Sequence, residues 1–184
     1  NYKEKTYSVK TNIKGRHNAQ NLLAAIGACL KLGIKPETIV EIIEKINFKL
    51  PYLNRTSGLN RTIVIDDGYN SSTTGFLSSL DELATEKGKK KIVITKGIIE
   101  LGAEKEGDYQ KIAKKLAKTA HILITSDKHL IRIVKENVPG FVCIKASDPL
   151  SFVKEYNKVL EEGDVVLIEG AMHKLFLNEV SDKD

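Results

Sequence analysis

Residues Thr62–Thr73, TIVIDDGYNSST, decide how this chain is read. An apolar, β-branched run meets two aspartates, a glycine, a tyrosine and an asparagine, and a helical pattern starts directly afterwards. A buried strand handing over to a helix through a polar loop is where open α/β folds keep their ligand sites, at the carboxyl ends of the strands. Upstream, RTSGLN predicts a short hairpin turning near Leu59 and Asn60, with Thr62 to Asp66 as its buried arm.

Downstream, strands and helices alternate. A helix from Thr73 to Glu86 carries Phe76, Leu77, Leu80 and Leu83 at helical spacing, and the strand KIVIT ends at Thr95. A helix from Asp108 to Lys118 turns Tyr109, Ile112, Ala113 and Leu116 inward. The strand HILIT, a short helix around Ile131, the strand FVCIK, a helix from Pro149 to Leu160 and the strand DVVLIEG complete the series. β-Branched runs each followed by a helix predict a mostly parallel, Rossmann-like sheet of about six strands, covered by helices on both faces.

The first third reads differently. TYSVKTNIKGRHN predicts a strand-like piece closing on Gly15. Asn18 is expected to cap a helix carrying Leu22, Leu23, Ile26 and Leu30, with Gly33 as its stop. A second helix starts at Pro36 and spaces Ile39, Ile42, Ile43 and Ile46 along one face. NFKLPYLNR then reads as a crossing, which places the domain boundary between residues 1–49 and 50–184.

Composition narrows the function classes. The chain has 184 residues, 41% hydrophobic, with no Trp and a net charge of +5. No apolar stretch suits a bilayer and no signal-peptide pattern opens the chain, so a cytoplasmic protein is expected. Cys29 and Cys143 sit in apolar runs without metal spacing and are expected to be buried thiols. Lysines such as those from Lys111 to Lys118 lack interleaved aromatics, which favours solvated helix faces over nucleic-acid binding. The chain starts at Asn1 and its only methionine is Met172, which suggests a processed chain or part of a longer one.

No phosphate loop, dinucleotide fingerprint or nucleophile elbow is present. His17, His121, His129 and His173 stand apart, so no metal is expected on the chain. Taken alone, the residues suit binding better than catalysis, and no catalytic residue is assigned. Asn18 and Asn21 lie one turn apart, either as helix cap and surface amide or as carboxamides for an adenine edge. Arg55 is either a surface charge or a fixed cation for nucleotide phosphate and ribose. Asp66 and Asp67 either hydrogen-bond their loop or accept ribose hydroxyls. TKGIIELG repeats the pattern one strand along, with Glu100 in the loop.

In order, GRHNAQNLLAAIGACLKLGI, then Arg55, IDDGYNSS and GIIELG resemble the end of the Mur ligases, ATP-dependent amide ligases of peptidoglycan synthesis and cell wall biogenesis. The DD-x-YN and G-x-x-ELG segments are most similar to the branch that adds D-alanyl-D-alanine. The resemblance implies that residues 1–49 are the tail of the central ATP-binding domain and that 50–184 form the C-terminal Rossmann-like domain. The phosphate loop and the Mg2+ ligands would then lie upstream, and this part alone would be inactive. By position, Asn21 would contact adenine, with His17 and Asn18 shaping that helix start. Arg55 would reach ribose and phosphates, Asp67 would hold the ribose, and Tyr69 would lie beside the nucleotide. Asn70 and Glu100 would face substrate. The implied partners are ATP, a UDP-linked muramoyl peptide and an amino acid or dipeptide, acting on a monomer without nucleic acid or membrane.

Several positions depart from the family pattern. YNSST replaces Y-N-A-N-P, TKGIIELG lacks an aspartate before its loop, Tyr109 stands at a common histidine, and EGAMHKLF lacks G-S-R. They cluster where the incoming amine is selected and leave the acceptor open. Two alternatives stand beside the ligase: a non-catalytic nucleotide-binding or scaffold domain, and a phosphoreceiver signalling domain using Thr125 or Asp127. The second lacks D-x-x-M-P and ends its last strand on Glu169 instead of lysine.

Overall fold

The structure is a computed structural model that describes residues 2–13, 16–47, 53–68, 71–98, 105–172, 176 and 178. It divides into two compact units, Asn1–Leu50 and Pro51–Asp184.

In the first unit, α1 (Arg16–Lys31) ends where Gly33 adopts φ +84°. The amide of Ile34 reaches the Cys29 carbonyl and that of Gly33 the Leu30 carbonyl, both at 3.1 Å. This paired closure satisfies the last carbonyls of the helix and needs the left-handed residue that glycine supplies. Pro36 opens α2 (Pro36–Lys45), and Ile39 and Ile43 bury its apolar face. Two expectations change here. Asn18 lies inside α1, buried, because the helix starts at Arg16. The segment 6–13 forms no strand, since the described residues of this unit offer it no ladder beyond a Tyr2–Lys5 bridge.

The second unit is the expected α/β sandwich. Its strands are β1 (Asn54–Gly58), β2 (Thr62–Asp67), β3 (Lys91–Thr95), β4 (Ile122–Thr125), β5 (Val142–Lys145) and β6 (Val165–Glu169). They form one six-stranded sheet in the order β1-β2-β6-β3-β4-β5. Only β1 runs antiparallel, paired to β2 through a short 3-10 turn at Leu59–Arg61. That turn holds Asn60 at φ 56°, ψ 38°, a left-handed position Asn tolerates well.

Helices α3 (Thr73–Thr85), α4 (Lys105–Thr119) and α5 (Lys128–Asn137) cover one face. Phe76, Leu80, Ile112, Leu116, Leu130 and Ile133 pack there on Ile65, Val93, Leu123 and Leu167. Helix α6 (Pro149–Val159) covers the other face, with Phe152, Tyr156 and Phe176 against Val64, Ile94, Ile124 and Ile168. The strands are apolar on both sides because both sides are covered. Cys29 and Cys143 are free and only half-buried, since one lies on α1 facing α2 and the other on edge strand β5.

The strand order sets where the fold reverses. From β2 through β5 the chain advances with its helices on one face, then returns by α6 on the other to insert β6 between β2 and β3. The chain thus enters β6 from the face opposite the helices that follow β2 and β3, which makes the carboxyl ends of these central strands a topological switch point.

Candidate functional site

Register lines up the strand ends at this switch point. Asp67 of β2 pairs with Glu169 of β6, Glu169 with Thr95 of β3, and Thr95 with Thr125 of β4. All four are buried and lie on the side of α3, α4 and α5, because each follows by two residues a core position of that face. A polar row thus caps the apolar layer.

Each member of the row ties down a neighbouring loop or helix. Thr95 Oγ1 accepts the Gly97 amide at 3.0 Å, and Thr125 Oγ1 accepts the Asp127 amide at 3.1 Å. Asp67 accepts the hydroxyl of Ser79 from α3. Glu169 Oε1 accepts the Ser71 hydroxyl at 2.9 Å. The Gly170 amide reaches the Asp67 carbonyl at 3.1 Å, so the ends of β2 and β6 close on one another. Gly170 has φ +76°, and a Cβ there would lie 3.0 Å from that of Ser71.

Electrostatics at the row are dominated by carboxylates. Burial, and then the neighbouring Asp67 charge, pushes Glu169 well above the ordinary carboxylate range. Burial also raises Asp66, against the Gly68 amide that its Oδ1 accepts at 2.9 Å. Ser72 caps α3 by accepting the Gly75 amide, and Asp127 caps α5 by accepting the His129 and Leu130 amides. The starts of α3 and α5 both follow strands whose carboxyl ends form the row, so their partial positive ends face the same edge.

Of the site residues expected from sequence, Asp67 stands in the row, 5% exposed. Arg55 lies on neighbouring β1, exposed, with its guanidinium on Glu86 at the end of α3. Asn21 is exposed and Asn18 buried, one turn apart in α1 of the other unit. His17 falls within α1, but its side chain lies outside the described residues, as do Tyr69, Asn70 and Glu100. Tyr109, at the position of a common histidine, is fully buried and engages Asp127 and the Ile98 amide. Sequence reasoning overlooked Ser71, Ser79 and the burial of Glu169. The available signal was an acid closing the apolar run VVLIE, followed by glycine.

Fold and strand ends together define the class, a Rossmann-like α/β domain with a buried polar row at the carboxyl ends of β2, β6, β3 and β4. No protein-family profile matches the chain. It is 26% identical over 181 residues to the UDP-N-acetylmuramoyl-L-alanyl-D-glutamate–2,6-diaminopimelate ligase of Parabacteroides distasonis, covering 90% of this chain and 36% of that protein. It is 32% identical over 148 residues to the UDP-N-acetylmuramoylalanine–D-glutamate ligase of Prochlorococcus marinus, covering 78% of this chain and 30% of that protein. Among solved structures, MurF from Acinetobacter baumannii superposes with a TM-score of 0.73 at 21% identity, covering 93% of this chain and 39% of that one. The MurF ligase from Thermotoga maritima in complex with ADP gives a TM-score of 0.68 at 19% identity, covering 94% of this chain and 40% of that one. The chain is a homologue of the Mur ligases over most of its length and carries the fold of their C-terminal domain. It spans about a third of the length of the curated relatives it matches. Those relatives fall in several branches of the family, which leaves the acceptor open as the departures from motif do. The phosphoreceiver alternative is set aside, since the relatives are ligases.

Proposed function

We propose that this chain is the C-terminal portion of an ATP-dependent carboxylate–amine ligase of peptidoglycan precursor synthesis. Residues 1–49 are the tail of the ATP-binding domain and 50–184 the C-terminal domain that closes over the reaction. The single observation that carries this reading is the homology, which runs through both units. The strand order supports it, because its switch point at the carboxyl ends of β2, β6 and β3 is where such folds take ligands.

In this reading ATP phosphorylates the carboxylate of a UDP-linked muramoyl peptide, and an amino acid or dipeptide attacks the acyl phosphate through its amine. Amide, ADP and phosphate leave. The work of this chain is to bind, orient and exclude water from an intermediate that hydrolyses readily. Asn21 contacts adenine, with His17 and Asn18 at the same helix start. Arg55 and Asp67 serve phosphate and ribose, with Tyr69 beside them, and Asn70 and Glu100 face the acceptor. Among the described residues no three His, Cys, Asp or Glu side chains converge to hold a metal. The Mg2+ that accompanies ATP is assigned to residues upstream on the strength of the family resemblance. No helix among the described residues is long and apolar enough to cross a membrane. A cytoplasmic, monomeric enzyme is in keeping with its soluble nucleotide substrates.

The test is ATP-dependent phosphate release by the full-length protein with UDP-muramoyl tripeptide and D-alanyl-D-alanine, omitting each in turn. Release that needs all three establishes the ligase and its D-alanyl-D-alanine branch. Release with a different amino acid or UDP-peptide keeps the ligase and changes the branch. No release with any acceptor overturns the reading in favour of a non-catalytic nucleotide-binding or scaffold role. In an active enzyme, Asp67→Ala and Asn21→Ala should each raise the KM for ATP, and an unchanged KM in both removes these assignments.

A further inference from the structure

Glu169 is fully buried at the end of the central strand β6. Its Oε1 accepts from Ser71, but Oε2, also buried, has no hydrogen-bond partner among the described residues. A carboxylate oxygen buried without a donor bears its desolvation penalty unrelieved. Directly across the β2–β6 pairing stands Asp67, itself buried and on the same face. Two enclosed carboxylates side by side do not both ionise. One proton relieves both strains, since a protonated Oε2 becomes a donor and Asp67 is the acceptor beside it.

We propose that Glu169 is kept as the neutral acid and donates a hydrogen bond from Oε2 to the Asp67 carboxylate, so that it positions the group assigned to the ribose. The pair stands on the geometry of β2 and β6, whereas the link to ribose rests on the function proposed above. The groups that act on the Glu169 carboxyl are Asp67 from β2, Ser71 from the loop before α3, and Ser79 from α3. On its other side, the Thr95 hydroxyl oxygen of β3 accepts the Gly97 amide. Asp66 lies on the opposite side of β2 with Gly68 as its partner. Burial first, and the Asp67 charge second, raise the affinity of Glu169 for its proton.

The folded state holds this proton more tightly than the unfolded chain, where a glutamate titrates near ~4.3. The stability it adds is therefore complete below that pH and is lost as pH rises towards the folded value.

Carboxyl-carbon NMR of the chain, labelled with 13C and titrated from pH 3 to 9, tests the pair without nucleotide. Glu169 should show no step near ~4.3 and should titrate well above it. A step in the ordinary range overturns the proposal. Asp67→Asn removes the neighbouring charge and should lower the Glu169 step, and an unmoved step also overturns it. In urea unfolding, Glu169→Gln, which keeps a donor in place of the acid, should flatten the decline in stability between pH ~4.3 and 7. A slope equal to that of the unsubstituted chain counts against the pair. Because none of these readings involves ATP, the pair can fail with the ligase intact, and the ligase can fail with the pair intact.

Discussion

The Tyr109 hydroxyl donates to Asp127 Oδ2 across 2.5 Å and accepts the Ile98 amide at 3.1 Å. One phenol thereby joins the loop after β3 to α4 and to the cap of α5. Lys105 adds to the junction, its ammonium 3.8 Å from Asp127 and over the Tyr109 ring at 5.5 Å from the centroid. Tyr109 is thus part of the scaffold that holds Gly97 and Ile98, where the chain leaves β3.

Tyr109→Phe keeps the ring and strips the hydroxyl, leaving a buried amide without its acceptor and a carboxylate short of one donor. The expected cost is about 1–3 kcal/mol in urea unfolding. At Asp127 burial works against ionisation, yet the hydrogen bonds from Tyr109, Leu130 and His129 and the Lys105 charge outweigh it and hold the carboxyl below its ordinary range. Such a depressed group adds stability above its unfolded value and loses it as pH falls through the folded one. The Phe variant should therefore lose less stability on acidification below pH ~4 than the unsubstituted chain. An equal acid slope would show that the phenol does not support Asp127.

Two glycines give opposite signs. Gly97 has φ +86°, and a Cβ there would meet Asp127 Oδ2 at 2.5 Å and the Tyr109 hydroxyl at 2.9 Å. Gly97→Ala should destabilise by about 1–3 kcal/mol or more, since backbone strain and collision add. Gly107 lies inside α4, where a Cβ would meet nothing within 4 Å, so Gly107→Ala should stabilise by about 0.5–1 kcal/mol. Thermal unfolding of the two variants in parallel reads both signs.

What the sequence disclosed followed from periodicity. Thr62 to Asp66 and VVLIE read as buried strands because both faces of the sheet are covered, and the turn at Leu59–Arg61 was marked by its polar residues. Helix starts were less legible. Asn18 looked like a cap and is interior, and α4 begins at Lys105, ahead of the expected Asp108, because side chains such as Lys and Arg propagate a helix without marking its first turn. The strand order was hidden altogether, since only long-range pairing inserts β6 between β2 and β3. That insertion brings Glu169 beside Asp67 over a separation of a hundred residues or so, which no local pattern records.

Asp164 shows the same long reach at the opposite end of β6. Fully buried, it accepts the Lys90 amide at 3.1 Å and the Glu161 amide at 2.8 Å, tying the turn before β6 to the approach of β3. Asp164→Ala leaves both amides without acceptors and should cost about 2–4 kcal/mol in urea unfolding. Asp164→Asn keeps one acceptor oxygen and should lose roughly half as much.

Arg55 offers the sharpest separation of structural from functional roles. Its guanidinium meets Glu86, with side chains 56% and 11% exposed, and a partly exposed pair of this kind contributes little. Arg55→Ala should therefore change stability by less than ~1 kcal/mol. If the nucleotide assignment holds, the same variant of the full-length protein should raise the KM for ATP by about tenfold, the equivalent of ~1.4 kcal/mol. Arg55→Lys should restore little of this, because a point charge lacks the planar fork that grips phosphate oxygens. Glu86→Gln, which removes the partner and leaves the cation, should keep the KM unchanged or lower it by releasing the guanidinium. An Arg55→Ala enzyme with unaltered KM and a Glu86→Gln enzyme equal to it would place Arg55 in the scaffold alone.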